Sequence, residues 1–369
     1  MTETEPGKAR EPSADDYALV AKAAAEVEAP DLPYRPPMPR DRGRGIALVG
    51  AGGISAAHLD AYARYGLSVV AICSRDLERA RARRDAYFPA ARVTDDFDSL
   101  LRDPNLTVLD VTTHADVRLD LMRRALNADK HVLSQKPFVE NLDDGRELVE
   151  LAARRGLNLA VNQNGRWAPH LAYIREAVYA GLIGEVTGVH IEIRWNHGWI
   201  AGTPFETMDD LIIWDFGIHW FDFLASVIGD RARFVHATTA HAAGQSARPA
   251  LLAQALIAFD GGQASLVFDG ATRYGARDST VVIGANGVAC SQGPDLGHQA
   301  VELHTEAGVA RPRLAGAWFN DGFAGAMGEL LCAIEDVREP LNSARGNLVS
   351  LKLCQAALRS VRTGAPAAV

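Results

Sequence analysis

GIALVGAGGISAAH, Gly45 to His58, reads as a strand, a tight glycine turn and the start of a helix. Ile46, Ala47, Leu48 and Val49 form a short apolar run, the length of a strand buried on both faces. Gly50, Gly52 and Gly53 follow at once, and a helical pattern begins near Ile54 and Ser55. Such a junction gathers backbone N–H groups at one point, where the helix dipole favours a pyrophosphate. Glycine suits it because a Cβ would block the turn or the phosphate's approach. A strand-to-helix turn without a ligand also uses glycine, so the surrounding chain has to separate the two readings.

From Gly45 to about Asn162, strands and helices alternate. Strands are expected at Leu67–Cys73, Arg92–Thr94, Leu106–Thr112, His131–Leu133 and Leu157–Asn162. Helical patterns lie between them at Asp76–Tyr87, Phe97–Arg102, Asp116–Ala128 and Asn141–Gly156. This alternation implies parallel βαβ units with right-handed crossovers, and it favours the dinucleotide reading of the glycine turn. The residues closing the second strand select the cofactor. An acidic residue there would accept from the ribose of NAD, whereas Ser74 and Arg75 leave room and positive charge for the 2′-phosphate of NADP. NADP is therefore the expected preference, with NAD the alternative.

Past Arg166 the rhythm changes. Ala168–Gly181 carries Leu171, Ile174, Ala177 and Val178 on one helical face. Val186–Trp195 then alternates Val189, Ile191, Ile193 and Trp195 with His190, Glu192 and Arg194, as a half-buried strand of antiparallel type does. Further strands are expected at 233–241, 252–259, 263–268, 280–284, 288–291 and 300–304, with hairpin turns at Asp260-Gly261-Gly262 and Asn286-Gly287. Helices at 322–337 and 345–362 close the chain. Ahead of the glycine turn, Ala14–Glu28 has a helical composition, whereas the five prolines of Pro30–Pro39 forbid regular structure. Residues 1–43 are thus either a loose tail or an arm laid across a neighbouring domain or subunit.

A chain of 369 residues has room for two domains at about 150 residues each. With 48% apolar and 23% charged residues it is expected to be globular with ample core. A net charge of −8 argues against nucleic acid and anionic membrane as partners. Cys73, Cys290, Cys332 and Cys354 fall in no CxxC spacing and read as buried thiols. The sequence offers no secretory segment or membrane-length apolar run, so the cytoplasm is the expected location.

Two stretches carry chemistry. Val132-Leu133-Ser134-Gln135-Lys136-Pro137 ends a strand of the nucleotide domain, where ligands of open α/β sheets bind. An ammonium there polarises a carbonyl or hydroxyl and exchanges a proton, although a surface lysine would read the same way. In Trp214-Asp215-Phe216-Gly217-Ile218-His219-Trp220-Phe221-Asp222, helical spacing puts Asp215, His219 and Asp222 on one stripe. Apolar neighbours on every other side predict a buried helix whose charged groups need partners or a polar cavity. An aspartate one turn from the histidine would fix its tautomer, as an acid–base relay or as a structural pair. A metal site with His190 or His197 lacks a third ligand of convincing spacing, and no metal is expected.

Together these residues resemble the glucose–fructose oxidoreductase / inositol dehydrogenase / MocA family, over about Gly45 to Gly364. Its glycine loop matches Gly50-Ala51-Gly52-Gly53-Ile54, and its Glu-Lys-Pro signature matches Gln135-Lys136-Pro137 after Asp129-Lys130-His131-Val132. Its arginine-aromatic-x-proline matches Arg166-Trp167-Ala168-Pro169, and its G-x-I-G-x-V matches Gly181 to Val186. Its D-x-G-x-H-x-x-D matches Asp215, Gly217, His219 and Asp222. Three positions depart from the pattern. Gln135 replaces a glutamate, His114 a proline after the fourth strand, and Arg118 a histidine.

The resemblance implies an α/β fold: a Rossmann parallel sheet over residues 44–163, then an α/β domain with an open, mainly antiparallel sheet over 164–345. A C-terminal helix, 346–369, would pack back on the Rossmann domain. It also implies hydride transfer between NAD(P) and a sugar, cyclitol or related small polyhydroxylated substrate. Gly50, Gly52, Gly53, Ile54, Ser74, Arg75, Thr112, Thr113, His114, Gln135 and Lys136 would hold the cofactor. Lys136 would orient the reacting oxygen, His219 would shuttle its proton, and Asp215 would bind or orient beside them. Arg166, Trp167, Asn196, His197 and Trp199 would line the substrate pocket. A homodimer or homotetramer through the C-terminal sheet is expected. The alternatives are a nucleotide-sensing regulator without chemistry, or a lyase or glycosidase that uses bound NAD transiently.

Overall fold

The computed structural model describes residues 24–369. Six parallel strands form the first sheet, in the spatial order Arg92–Thr94, Val69–Cys73, Ile46–Val49, Val108–Val111, His131–Ser134 and Leu159–Val161. Sequence order reverses between Ile46–Val49 and Val108–Val111, which places a topological switch point, and so a ligand crevice, at the Gly50 turn. Local chemistry explains the elements. All four residues of Ile46–Val49 are buried, and Asp76, Asp96 and Asn141 cap the helices that follow them through their side-chain oxygens.

Among the described residues the second sheet has ten strands, and its core five are Gly287–Gly293, Arg277–Gly284, Val186–Arg194, Gly262–Asp269 and Leu252–Phe259. Its pairs are antiparallel except two: Glu26–Val27 with Gly308–Ala310, and Gly262–Asp269 with Val186–Arg194. Both glycine hairpins form where expected, joining 252–259 to 262–269 and 277–284 to 287–293. Val189, Ile191 and Ile193 point inward onto the helices Pro169–Tyr179 and Ile218–Ile228. Among the described residues no helix is long and apolar enough to cross a membrane.

Three segments tie the two halves together. In the arm, Ala24–Glu28 is not helical: Glu26 and Val27 extend the second sheet's edge beside Val309 and Ala310. Edge pairing outweighs the helical propensity of this composition; residues 14–23 of the expected helix lie outside the described residues. The arm then crosses Tyr173, whose hydroxyl donates to the Pro30 carbonyl at 2.9 Å, and ends against Glu335. Helix Trp318–Glu335 sends Phe323, Met327 and Leu330 into the nucleotide-domain core, although its sequence position follows the second sheet. Helix Ala344–Thr363 contributes Leu351 to one core and Leu353, Cys354 and Leu358 to the other, so it bridges both halves.

Candidate active site

At the switch point Gly50 has φ +106°, a conformation costly for residues with a Cβ, and its missing Cβ would press on Thr112 and Thr113. Thr112 closes the turn by donating to the Gly50 carbonyl at 2.7 Å. Beside Gly52 and Gly53 there is open space. Among the described residues the N–H groups of Gly53, Ile54 and Ser55, at the start of helix Ser55–Arg64, find no acceptor. An uncrowded cradle of free donors at a helix N-terminus fits a dinucleotide pyrophosphate. Ser74 and the exposed Arg75 close the second strand. The nearby Asp76 carboxylate caps the next helix by accepting from the Arg79 N–H at 3.0 Å.

The next strand of the switch point ends in Thr112, Thr113 and the exposed His114. Arg118, one turn into the helix Ala115–Asn127, is buried and reaches back. It donates to the Thr113 carbonyl at 2.9 and 3.1 Å, and to the carbonyls of Gln135 and Pro137. It thus clamps two strand ends together rather than facing a ligand. Its guanidinium is held down to about 10 by desolvation. Gln135 is buried too: its Oε1 accepts from the Lys136 N–H and from Asn162 Nδ2, both at 2.9 Å. Asn162 in turn meets His58 at 3.1 Å, and His58 and Tyr62 share the Asp110 carboxylate at 2.8 and 2.7 Å. The loop carrying Lys136 therefore stands on a buried polar chain.

Lys136 reaches across to the other half of the molecule. Its Nζ donates to Asp215 Oδ1 at 2.9 Å and to the Asp215 carbonyl at 2.7 Å. Asp215 lies in a π-type turn, Ile212–Gly217, that precedes the α-helix Ile218–Ile228. A π turn shifts the helical phase. The stripe expected from simple helical spacing is therefore broken, and the three polar residues part company. Asp215 turns to Lys136 and does not pair with His219. Asp222 faces the interior, where it accepts from Arg166 at 2.6 and 2.9 Å and from Ser350 at 2.6 Å.

His219 lines the cleft, edge-on to Trp318 at 5.4 Å, and its Nδ1 is buried without a partner among the described residues. Burial holds its imidazole well below the usual histidine range, and the Lys136 ammonium adds to that. The cleft has a volume of about 330 Å³. It gathers Lys136, Asp215, His219, Asn196, His197 and Trp199 in one place. His197 is pushed down to about 4 by burial and packs on Phe216 with ring centroids 4.2 Å apart.

Arg166 and Trp167 do not reach the cleft. Arg166 is consumed by the buried Asp222 carboxylate. Trp167 packs against helix Trp318–Glu335, where a Cβ on Gly325 would come within 2.3 Å of its ring. Other residues take that space: Trp195, Phe205, Phe216, Trp220, Trp318 and Phe319 are cleft aromatics. Trp195 is visible in the sequence as the last inward position of its strand. Trp318 and Phe319 carry no local signal.

Residues 44–163 match the model of an oxidoreductase family with an NAD-binding Rossmann fold, and residues 171–290 match a GFO/IDH/MocA C-terminal domain. A D-apiose dehydrogenase of Paraburkholderia graminis is 28% identical over 86% of this chain and 88% of the relative. An inositol 2-dehydrogenase of Rhizobium meliloti is 26% identical over 86% of this chain and 96% of the relative. Among solved structures, an oxidoreductase from Agrobacterium radiobacter, in complex with NAD+, L-tartaric acid and magnesium, superimposes with a TM-score of 0.78. It covers 88% of this chain and 98% of its own at 22% identity, a likeness of fold.

Proposed function

The chain belongs to the GFO/IDH/MocA family of oxidoreductases with an NAD-binding Rossmann domain, and from that premise we propose that it transfers hydride between NADP, in preference to NAD, and a carbinol or carbonyl carbon of a small polyhydroxylated substrate. The observation that carries the reading is that Lys136 from one half and His219 from the other line a single cleft. Relatives named for apiose and inositol support a sugar or cyclitol.

When bound, the dinucleotide supplies hydride acceptance or donation; the chain's own groups manage the oxygen and its proton. Gly50, Gly52, Gly53 and Ile54 would hold the pyrophosphate, and Arg75 the 2′-phosphate. The Lys136 ammonium donates to the reacting oxygen and stabilises the charge that grows on it, while Asp215 fixes where that ammonium sits. His219, kept neutral by its surroundings, accepts the hydroxyl proton in oxidation and returns it in reduction. Asn196 and His197 orient the remaining hydroxyls, and Trp199 stacks on an apolar part of the substrate. A second copy would cover the outer sheet face, where Phe234 and Leu256 are exposed.

The test is a panel of sugars and cyclitols with each cofactor, followed at the nicotinamide absorbance. Steady turnover with at least one polyol, faster with NADP, is the expected result. Tight cofactor retention with no net absorbance change across the panel would replace this reading with the regulator or the transient-redox alternative.

A further inference from the structure

The cleft combines a small inner polar cluster with an extensive aromatic lining. Lys136, Asp215 and His219 cluster where the two halves meet, little exposed to solvent, while His197 sits on the aromatic wall, with its ring 4.2 Å from Phe216 and 5.9 Å from Trp199. The remaining wall is aromatic: Trp195, Phe216, Trp220 and Trp318 pack edge to face or tilted at centroid distances of 4.9–5.8 Å. Toward solvent the aromatic lining continues in Trp199, Phe205 and Phe319, which are 58%, 41% and 53% exposed. Trp199 and Phe205 stand edge to face at 5.6 Å on two short 3-10 turns, Gly198–Ile200 and Pro204–Thr207. Phe319 comes from the start of the Trp318–Glu335 helix.

This distribution offers a substrate more ring surface than hydroxyl partners. Each hydroxyl taken from water needs a partner, and an unpaired one costs about as much as a lost hydrogen bond. Hydroxyls at the outer end would meet rings, whereas an apolar substituent there would cover ring surface that otherwise faces water. Exposed apolar surface of this kind marks a binding site in soluble proteins. We propose that the substrate is a polyhydroxylated ring bearing an aromatic substituent, an aryl glycoside, with the ring seated at Lys136 and His219 and the aryl group among Trp199, Phe205 and Phe319. This inference rests on the oxidoreductase reading and narrows its substrate class. In the oxidation direction a ring carbinol becomes a ketone: its C–H hydride goes to the oxidised dinucleotide and its hydroxyl proton to His219 and then water. The glycosidic bond stays intact.

Matched methyl and phenyl glycosides of glucose, galactose and xylose, titrated against the full chain with NADP present, separate the possibilities. Binding is read by calorimetry and turnover at the nicotinamide absorbance. In at least one pair the phenyl member is expected to bind about tenfold or more tightly than the methyl member. That ratio should fall to about threefold or less in Trp199→Ala, and also in Phe319→Ala; both side chains are exposed enough to be truncated without opening the core. Equal binding of methyl and phenyl members in every pair would overturn the aryl subsite, and turnover of the methyl members would then leave the oxidoreductase reading standing. Tight phenyl binding without any nicotinamide signal would do the reverse.

Discussion

The ammonium of Lys136 lies 2.9 Å from Oδ1 of Asp215, so an ion pair joins the end of a Rossmann strand to a π turn of the other domain. Its effect is to supply beside the lysine a carboxylate that the neighbouring glutamine, Gln135, does not bring. The same contact fixes the ammonium in the cleft that His219 lines.

Asp215→Asn keeps the size and one acceptor of the side chain but removes the ion pair. Turnover is expected to fall by about 10- to 100-fold, mostly in kcat, because a mispositioned catalytic group loses orientation. Dinucleotide affinity, measured by fluorescence titration, should change little. Wild-type kcat in this variant would show that the pair is not needed to place Lys136.

Asp222 and Arg166 are expected to serve stability. Their buried, bidentate bond is supported by Ser350. Asp222→Ala leaves a buried guanidinium without its counter-charge, an imbalance that typically costs about 3–5 kcal/mol. Urea denaturation should show that loss. A small change in stability with a large one in kcat would instead place Asp222 in the chemistry.

The pH dependence of stability has two opposed sources. Burial lowers His131 and His197 to about 4 and His170 to about 3. The unfolded chain then binds more protons between those values and about 6.5, so these residues make stability fall as pH drops through that window. Asp278 acts oppositely: burial, with both carboxylate oxygens unpartnered among the described residues, raises it to about 7. Its contribution is intact below about 4 and is lost as pH rises toward 7. Asp278→Asn should therefore stabilise the chain at pH 8 by roughly 2–4 kcal/mol and change little near pH 4. Denaturation of both proteins at the two pH values checks the sign.

Arg75 is exposed at the close of the second strand, and the nearby Asp76 carboxylate is occupied as a helix cap. Arg75→Gln should raise the KM for NADP by about tenfold while leaving that for NAD within about twofold. An unchanged NADP:NAD ratio would remove Arg75 from cofactor selection.

What the sequence revealed follows the range of the interactions involved. The glycine turn, the βαβ alternation and the two glycine hairpins depend on neighbours in the chain, and each appears where local chemistry puts it. Lys136, Asp215 and His219 were legible as candidates from residue type and position. Their relations were not: the π turn re-aims Asp215, and nothing local announces that extra phase. Arg166 reads as a pocket residue in the sequence, but Asp222, far along the chain, takes its guanidinium. The aromatic lining of the cleft draws in Trp318 and Phe319, which lie just ahead of the helix expected at 322–337. The arm went to the edge of a sheet because an open edge offers Glu26 and Val27 hydrogen bonds that an isolated helix end does not.

The central claim is that one amine and one imidazole, from different domains, act on the same carbon. A double-mutant cycle on kcat, with Lys136→Met, His219→Gln and the pair, measures this with whichever polyol the panel identifies. Groups acting as one unit are not additive. Each single change should therefore cost about 100-fold or more, with the double variant no slower than the worse single one and cofactor binding retained. Wild-type kcat in either single variant would contradict the claim, as would losses that simply multiply.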